Sequence, residues 1–156
     1  MKMLRIAIAI TFVLWLAACS KNEPQVPYFN DDDLKIDMIQ SDELDGNLTY
    51  SFEVTNMGKT TVGFLRLSMQ FPILRDGRNI INPFEAQGRS LSGDPIRLAQ
   101  SEKATFQVVA PLHDVFDEDV QFSDMTELAL RGYALAGDQA IPFGISGSLG
   151  AVLNKY

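Results

Sequence analysis

An all-β fold, with two antiparallel sheets packed face to face, is predicted by three observations. Apolar residues recur at every second position in several separate runs, which is the period of a strand with one buried and one wet face. Residues that favour tight turns stand between those runs. No stretch carries the periodicity of a long amphipathic helix, which argues against an α/β arrangement.

The strands follow in order. Leu34, Ile36 and Met38 share one face while Lys35 and Asp37 take the other, until Ile39 breaks the alternation. Leu48, Tyr50, Phe52 and Val54 alternate with Thr49, Ser51, Glu53 and Thr55, the cleanest half-buried strand of the chain. Leu65, Leu67, Met69 and Phe71 alternate with Arg66, Ser68 and Gln70 in the same way. Ala104, Phe106, Val108 and Ala110 form a fourth run, and Ile141, Phe143, Ile145 and Leu149 close the series. Asp45-Gly46-Asn47, Asn56-Met57-Gly58, Asp76-Gly77 and Gly137-Asp138 mark hairpins and short returns. Pro72 ends the third strand and Pro142 falls inside the last, so that last strand is expected at a sheet edge or at a bulge. Asn79 to Leu98, with Pro83, Gly88, Gly93 and Pro95, reads as a long loop holding one short strand at most. Asp114 to Asp124 does not alternate consistently and has room for one short helix.

Short antiparallel strands joined by turns point to a β-sandwich of the immunoglobulin-like or fibronectin-III-like class, with about seven strands over residues 34–156. An inter-sheet disulfide is not expected, because Cys19 is the only cysteine, and Trp15 is the only tryptophan. The core then rests on Phe, Leu, Ile, Val and Met, each contributing about 1.5–3 kcal/mol when fully buried.

The N-terminus carries a different message. Lys2 and Arg5 precede an apolar stretch from Ile6 to Leu16, and Leu16-Ala17-Ala18 leads directly into Cys19. A basic start, a short apolar centre and small residues at the junction make a secretory signal, too short for the roughly 20 residues of a membrane-spanning helix. Residues 1–18 read as a lipoprotein signal peptide, with Cys19 as the lipidated residue. Each buried acyl methylene contributes about 0.8 kcal/mol, so more than one chain gives stable attachment to the membrane. Ser20 follows where an aspartate would signal inner-membrane retention in many Gram-negative bacteria, which favours a periplasm-facing position on the outer membrane. Residues 19–33, with two prolines and ending in Asp31-Asp32-Asp33, read as the lipidated N-terminus and tether.

Charge and chemistry exclude more than they assign. Loss of Lys2 and Arg5 with the signal takes the formal charge from −7 to −9, a balance that repels nucleic acid and anionic lipid. His113 is the only histidine, so neither a histidine-rich metal site nor a histidine-based acid–base pair is available. Acylation would consume the sole thiol, and no serine lies in a Gly-x-Ser-x-Gly elbow. The glycines sit singly at turns rather than in a phosphate-cradling loop. Asp114, Asp117 and Asp119 are the candidates for a cation or a carboxylate-based hydrolytic site, but they lack the spacing of an EF-hand loop. No cofactor is expected.

The order of parts resembles bacterial lipoproteins of the LEA type 2, or water-stress-hypersensitivity, group. The resemblance is carried by the lipobox, the proline-containing tether, the strand Leu48 to Asn56 with Gly58, and the stretch from Leu128 through Arg131, Gly132 and Tyr133 to Gly137. Ile141-Pro142-Phe143 and Gly147-Ser148-Leu149 continue it. It implies a β-sandwich without established catalytic residues, and a stress-protective role as one functional expectation. The residues themselves favour a non-catalytic binding or accessory domain in the cell envelope, held to the membrane by lipid and engaging an envelope protein.

Overall fold

The computed structural model describes residues 28–80, 82, 84–93, 96–111, 121–122 and 126–154. Two antiparallel sheets are built from the alternating runs. The first contains β1 (Leu34–Leu44), β2 (Asn47–Asn56), β7 (Arg89–Ser90) and β8 (Lys103–Pro111), in the order β1-β2-β8-β7. In the second, β3 (Thr61–Gln70), β6 (Glu85–Gln87), β10 (Glu127–Ala136) and β11 (Gln139–Ser148) take the order β11-β10-β3-β6. These orders are the A-B-E-D and C-F-G arrangement of the immunoglobulin-like sandwich, with β6 added beside its C strand. A small third sheet, β5-β4-β9, joins β4 (Ile73–Arg75), β5 (Arg78–Ile80) and β9 (Gln121–Phe122).

Alternation decides which side of each sheet is dry. Phe52 and Phe106 stand in register on β2 and β8, Leu67 and Leu130 on β3 and β10, and all four are at most 1% exposed. Val54, Val62, Met69, Val108 and Leu128 complete the centre of one continuous core. The turns behave as their residues dictate. Asp45-Gly46 and Asp76-Gly77 each place two successive residues at positive φ, the type I′ geometry that matches strand twist in a two-residue hairpin. Ile39 is the extra residue where the β1–β2 register shifts, which is why the alternation fails there. Pro142 lies on β11, an edge strand, so no neighbouring strand on that side asks for its missing N–H.

Asn56 closes one end of the sandwich. It is fully buried, and its Nδ2 donates to the carbonyls of Thr60 (2.9 Å) and Leu98 (3.0 Å) while its Oδ1 accepts from the Gly58 N–H (3.1 Å). Its backbone N–H donates to Glu102 O, and its carbonyl accepts from Ser101 N–H. One side chain therefore ties the β2–β3 turn to the segment entering β8, beside the Val62–Leu98 bridge.

Four expectations are corrected. Asn79–Leu98 holds more than one short strand: β6 and β7 lie within it and β5 overlaps its start, so the described residues form six long strands and five of two or three residues, eleven in all. Pieces of two or three residues cannot show alternation, and they form because β3, β4 and β8 offer unpaired edges. Gln121–Phe122 is a strand paired to β4 rather than helix; Asp114–Val120 lies outside the described residues. The short helix is instead α1 (Leu149–Leu153), which turns Leu149 out of strand geometry and buries Val152 in the core. Finally, folded structure begins before residue 34. Asp31–Asp33 is a 3₁₀ turn with Asn30 at its N-cap, and Phe29 is buried and stacks on Phe143 at 4.2 Å.

Phe106→Ala is expected to lower stability by about 3–5 kcal/mol through cavity formation. Asn56→Ala, which leaves buried carbonyls without a donor, is expected to cost about 3 kcal/mol. Urea denaturation with unchanged m-values checks both.

Candidate functional site

The two outer faces of the sandwich differ in chemistry. On the first sheet, outward positions of β2 and β8 carry Thr, Ser, Gln and charge, with Val109 the apolar exception, Lys103 Nζ 2.6 Å from Glu53 Oε1, and Lys35 Nζ 2.9 Å from Asp37 Oδ1 on β1. The Glu53 carboxylate accepts from the Lys103 ammonium and keeps it charged to higher pH than usual. These are solvated ladders of the kind that keep a sheet face wet.

The second sheet presents ordered rows that cross β3, β10 and β11. Phe64, Tyr133 and Pro142 are in register, and the Phe64 and Tyr133 rings stack at 5.9 Å while remaining 41% and 37% exposed. Beside them run Arg66, Arg131 and Gly144, then Ser68, Ala129 and Ser146, then Gln70, Glu127 and Ser148. Along the strand direction the face therefore passes from aromatic to cationic to small to acidic.

Local structure explains how the aromatic row is held. The register of β3 against β10 shifts between Tyr133 and Ala134, so that Gly63 is the bulged residue and both Val62 and Leu65 turn inward. Phe64 faces out by the same alternation that turns Leu65, Leu67 and Met69 inward, and the bulge brings Val62 to the core side as well. A Cβ on residue 63 would lie 2.5 Å from Tyr133 Cε2, so only glycine lets the ring lie over the bulge.

The charged rows are tied together on the β6 side. Arg66 Nε donates to Gln87 Oε1 at 2.6 Å. Glu85, in register with Gln70, has its carboxyl held below the ordinary glutamate range, first by a hydrogen bond from Ser68, then by one from Gln87 and by the charges of Arg131 and Arg66. Arg66 and Arg131 are directly opposite each other, an arrangement that costs stability unless carboxylates lie close by.

Of the residues singled out from the sequence, Cys19, His113, Asp114, Asp117 and Asp119 lie outside the described residues. Among the described residues no group of three or more His, Cys, Asp or Glu side chains is placed to hold a metal ion, and no helix is long and apolar enough to cross a membrane. A cleft of about 350 Å3 between the β7–β8 connection and β8 contains Glu102, Lys103 and Arg97, but Glu102 Oε2 already accepts from Ala99 N–H at 2.7 Å. The outer-face rows were not assigned from the sequence. A signal existed: Phe64 and Tyr133 are large aromatics at the outward parity of their strands, each two positions from an outward arginine.

The fold and this face define an immunoglobulin-like β-sandwich with one patterned outer sheet. No family model matches the chain, and no curated protein matches it. Among solved structures it is similar to IrmA from Escherichia coli, with 8% identity, a TM-score of 0.36, and coverage of 70% of this chain and 83% of that one. CsgH from R. palustris shares 8% identity at a TM-score of 0.32, covering 76% and 95%. Spo0M, a sporulation control protein from Bacillus subtilis, shares 14% at 0.30, covering 74% of this chain and 49% of its own.

Glu85→Gln is expected to remove stability that the wild type has above the ordinary glutamate value of 4.5 and loses as pH falls through the lowered folded value. Thermal melts of both proteins from pH 7 to pH 3 should therefore converge at the acidic end.

Proposed function

We propose that this chain is a lipid-anchored lipoprotein of the bacterial outer membrane, facing the periplasm, whose sandwich is a non-catalytic accessory module. It engages a protein partner in the envelope through the outer face of the β11-β10-β3-β6 sheet. The observation that carries the binding part is the exposed, in-register Phe64–Tyr133 stack beside the opposed Arg66 and Arg131. Aromatic and arginine side chains are enriched where protein surfaces bind. Anchorage rests on Leu16-Ala17-Ala18-Cys19 behind its apolar run.

Two measurements test the two halves. Cys19→Ser should move the protein from membrane to soluble fractions without altering its circular dichroism; full retention on the membrane after signal cleavage would remove the anchor. A photo-crosslinking side chain at Phe64 should trap a protein adduct of one defined mass in intact cells, while the same group at Val109, exposed on the opposite sheet, should trap none. Diffuse labelling from both positions would instead favour the stress-protective reading implied by the LEA type 2 resemblance.

A further inference from the structure

We infer that this face recognises its partner through an extended, acidic segment, with an Asp or Glu side chain over Arg66 and Arg131 and an apolar side chain two residues away over Phe64, Tyr133 and Pro142. The inference rests on the reading of the face as the binding surface and states what that surface selects. Its ground is a pair of cations held side by side without an ion-pair partner.

Arg66 and Arg131 stand directly opposite each other on β3 and β10, both exposed, where like charges destabilise a sheet. Among the described residues the ion pairs are Lys35–Asp37 and Lys103–Glu53, and neither arginine has a carboxylate within ion-pair distance. Glu85, which feels the charge of both, accepts its hydrogen bonds from Ser68 and Gln87 instead. Gln87 Oε1 in turn accepts from Arg66 Nε at 2.6 Å, which fixes that side chain and leaves its two terminal nitrogens without a hydrogen-bond partner among the described residues. Arg131 has Gly144 beside it on β11, so no side chain rises next to it there. Planar, fixed guanidinium groups with free donors suit a carboxylate.

Spacing sets the form of the ligand. The aromatic and arginine rows are two residues apart on both β3 and β10, about 7 Å, which is also the repeat of side chains along one face of an extended chain. An acid and an apolar residue at alternate positions therefore meet both rows at once, whereas adjacent residues point to opposite faces. The placement of charge agrees. The strands of this sheet carry two acids, and both lie beyond the arginines as seen from the aromatic row. Glu127 is four positions from Arg131, about 14 Å, more than the Debye length of about 8 Å at physiological salt. Glu85 is bonded in the next row, at Ser68 and Gln87. The aromatic side of the arginine row is thus locally positive, while the overall charge of −7 repels polyanions. A single carboxylate beside an apolar group fits this better than a chain of phosphates.

The test uses the purified full-length chain in detergent and three dye-labelled peptides of Gly and Ser, carrying Glu-Ser-Phe, Gln-Ser-Phe or Glu-Phe at the centre, with binding read by fluorescence anisotropy. The first should bind with a dissociation constant below about 1 mM, and the other two at least about tenfold more weakly. Arg66→Gln combined with Arg131→Gln should weaken the first peptide by at least about tenfold while the melting temperature holds or rises, since an opposed like-charge pair is removed. A fall in melting temperature would assign the arginines to stability and overturn the inference, as would equal binding of the three peptides or no binding of the first. The same double variant is then given the crosslinking group at Phe64 in intact cells, where loss of the adduct is expected. An undiminished adduct overturns the acidic segment and leaves the accessory-module reading in place; absence of an adduct in the unmodified background overturns that reading as well.

Discussion

The structure depends on burying one face of each sheet against the other without a covalent cross-link. Phe52 and Phe106 from one sheet and Leu67 and Leu130 from the other lie in the shared core, and each is in register with its own neighbour. Pairing within a sheet and packing between sheets are thus satisfied by the same residues. A slip of one position would turn every one of them to solvent. Asn56 guards against it at one end, because its three side-chain hydrogen bonds exist only when the β2–β3 turn and the strand leading to β8 are correctly placed. A fully buried amide with partners is specific where apolar contact is tolerant.

The same alternation that fills the core leaves two outer faces free to differ. On the first sheet short ion pairs join neighbouring positions and the face is polar apart from Val109. On the second, Phe64 faces outward by alternation and a bulged glycine beside it seats Tyr133 over the backbone. The bulge ties core to surface: it ends the simple alternation of β3, brings Val62 inside along with Leu65, and makes room for the Tyr133 ring in the aromatic row next to the arginines. Removing that glycine would disturb the face before it disturbed the core.

Much of the architecture was legible because period-two patterning and turn chemistry are local. The hairpin at Asp45-Gly46 and the edge position of Pro142 follow from steric rules that act within a few residues. β10 was harder, since Gly132 interrupts the apolar series of Leu128, Leu130 and Ala134, although Gly137-Asp138 marks its end. The short strands β6 and β7 carry no pattern of their own. They exist because long strands beside them present unpaired backbone, a property of the assembled sheet. The reach of the folded region back to Phe29 was equally hidden, as nothing local says that Phe143 lies beside it.

By itself the sequence determined the sandwich class, most inward-facing residues of five of the six long strands but not of β10, the turn positions and a signal-like N-terminal pattern, because each rests on short-range spacing. Only the tertiary structure decided which strands are neighbours and therefore which outward residues form a surface. Phe64 and Tyr133, or Arg66 and Arg131, are more than sixty residues apart in the chain and meet only when β3 pairs with β10. A binding face on a sheet is written across strands, and cross-strand register depends on the whole core being packed.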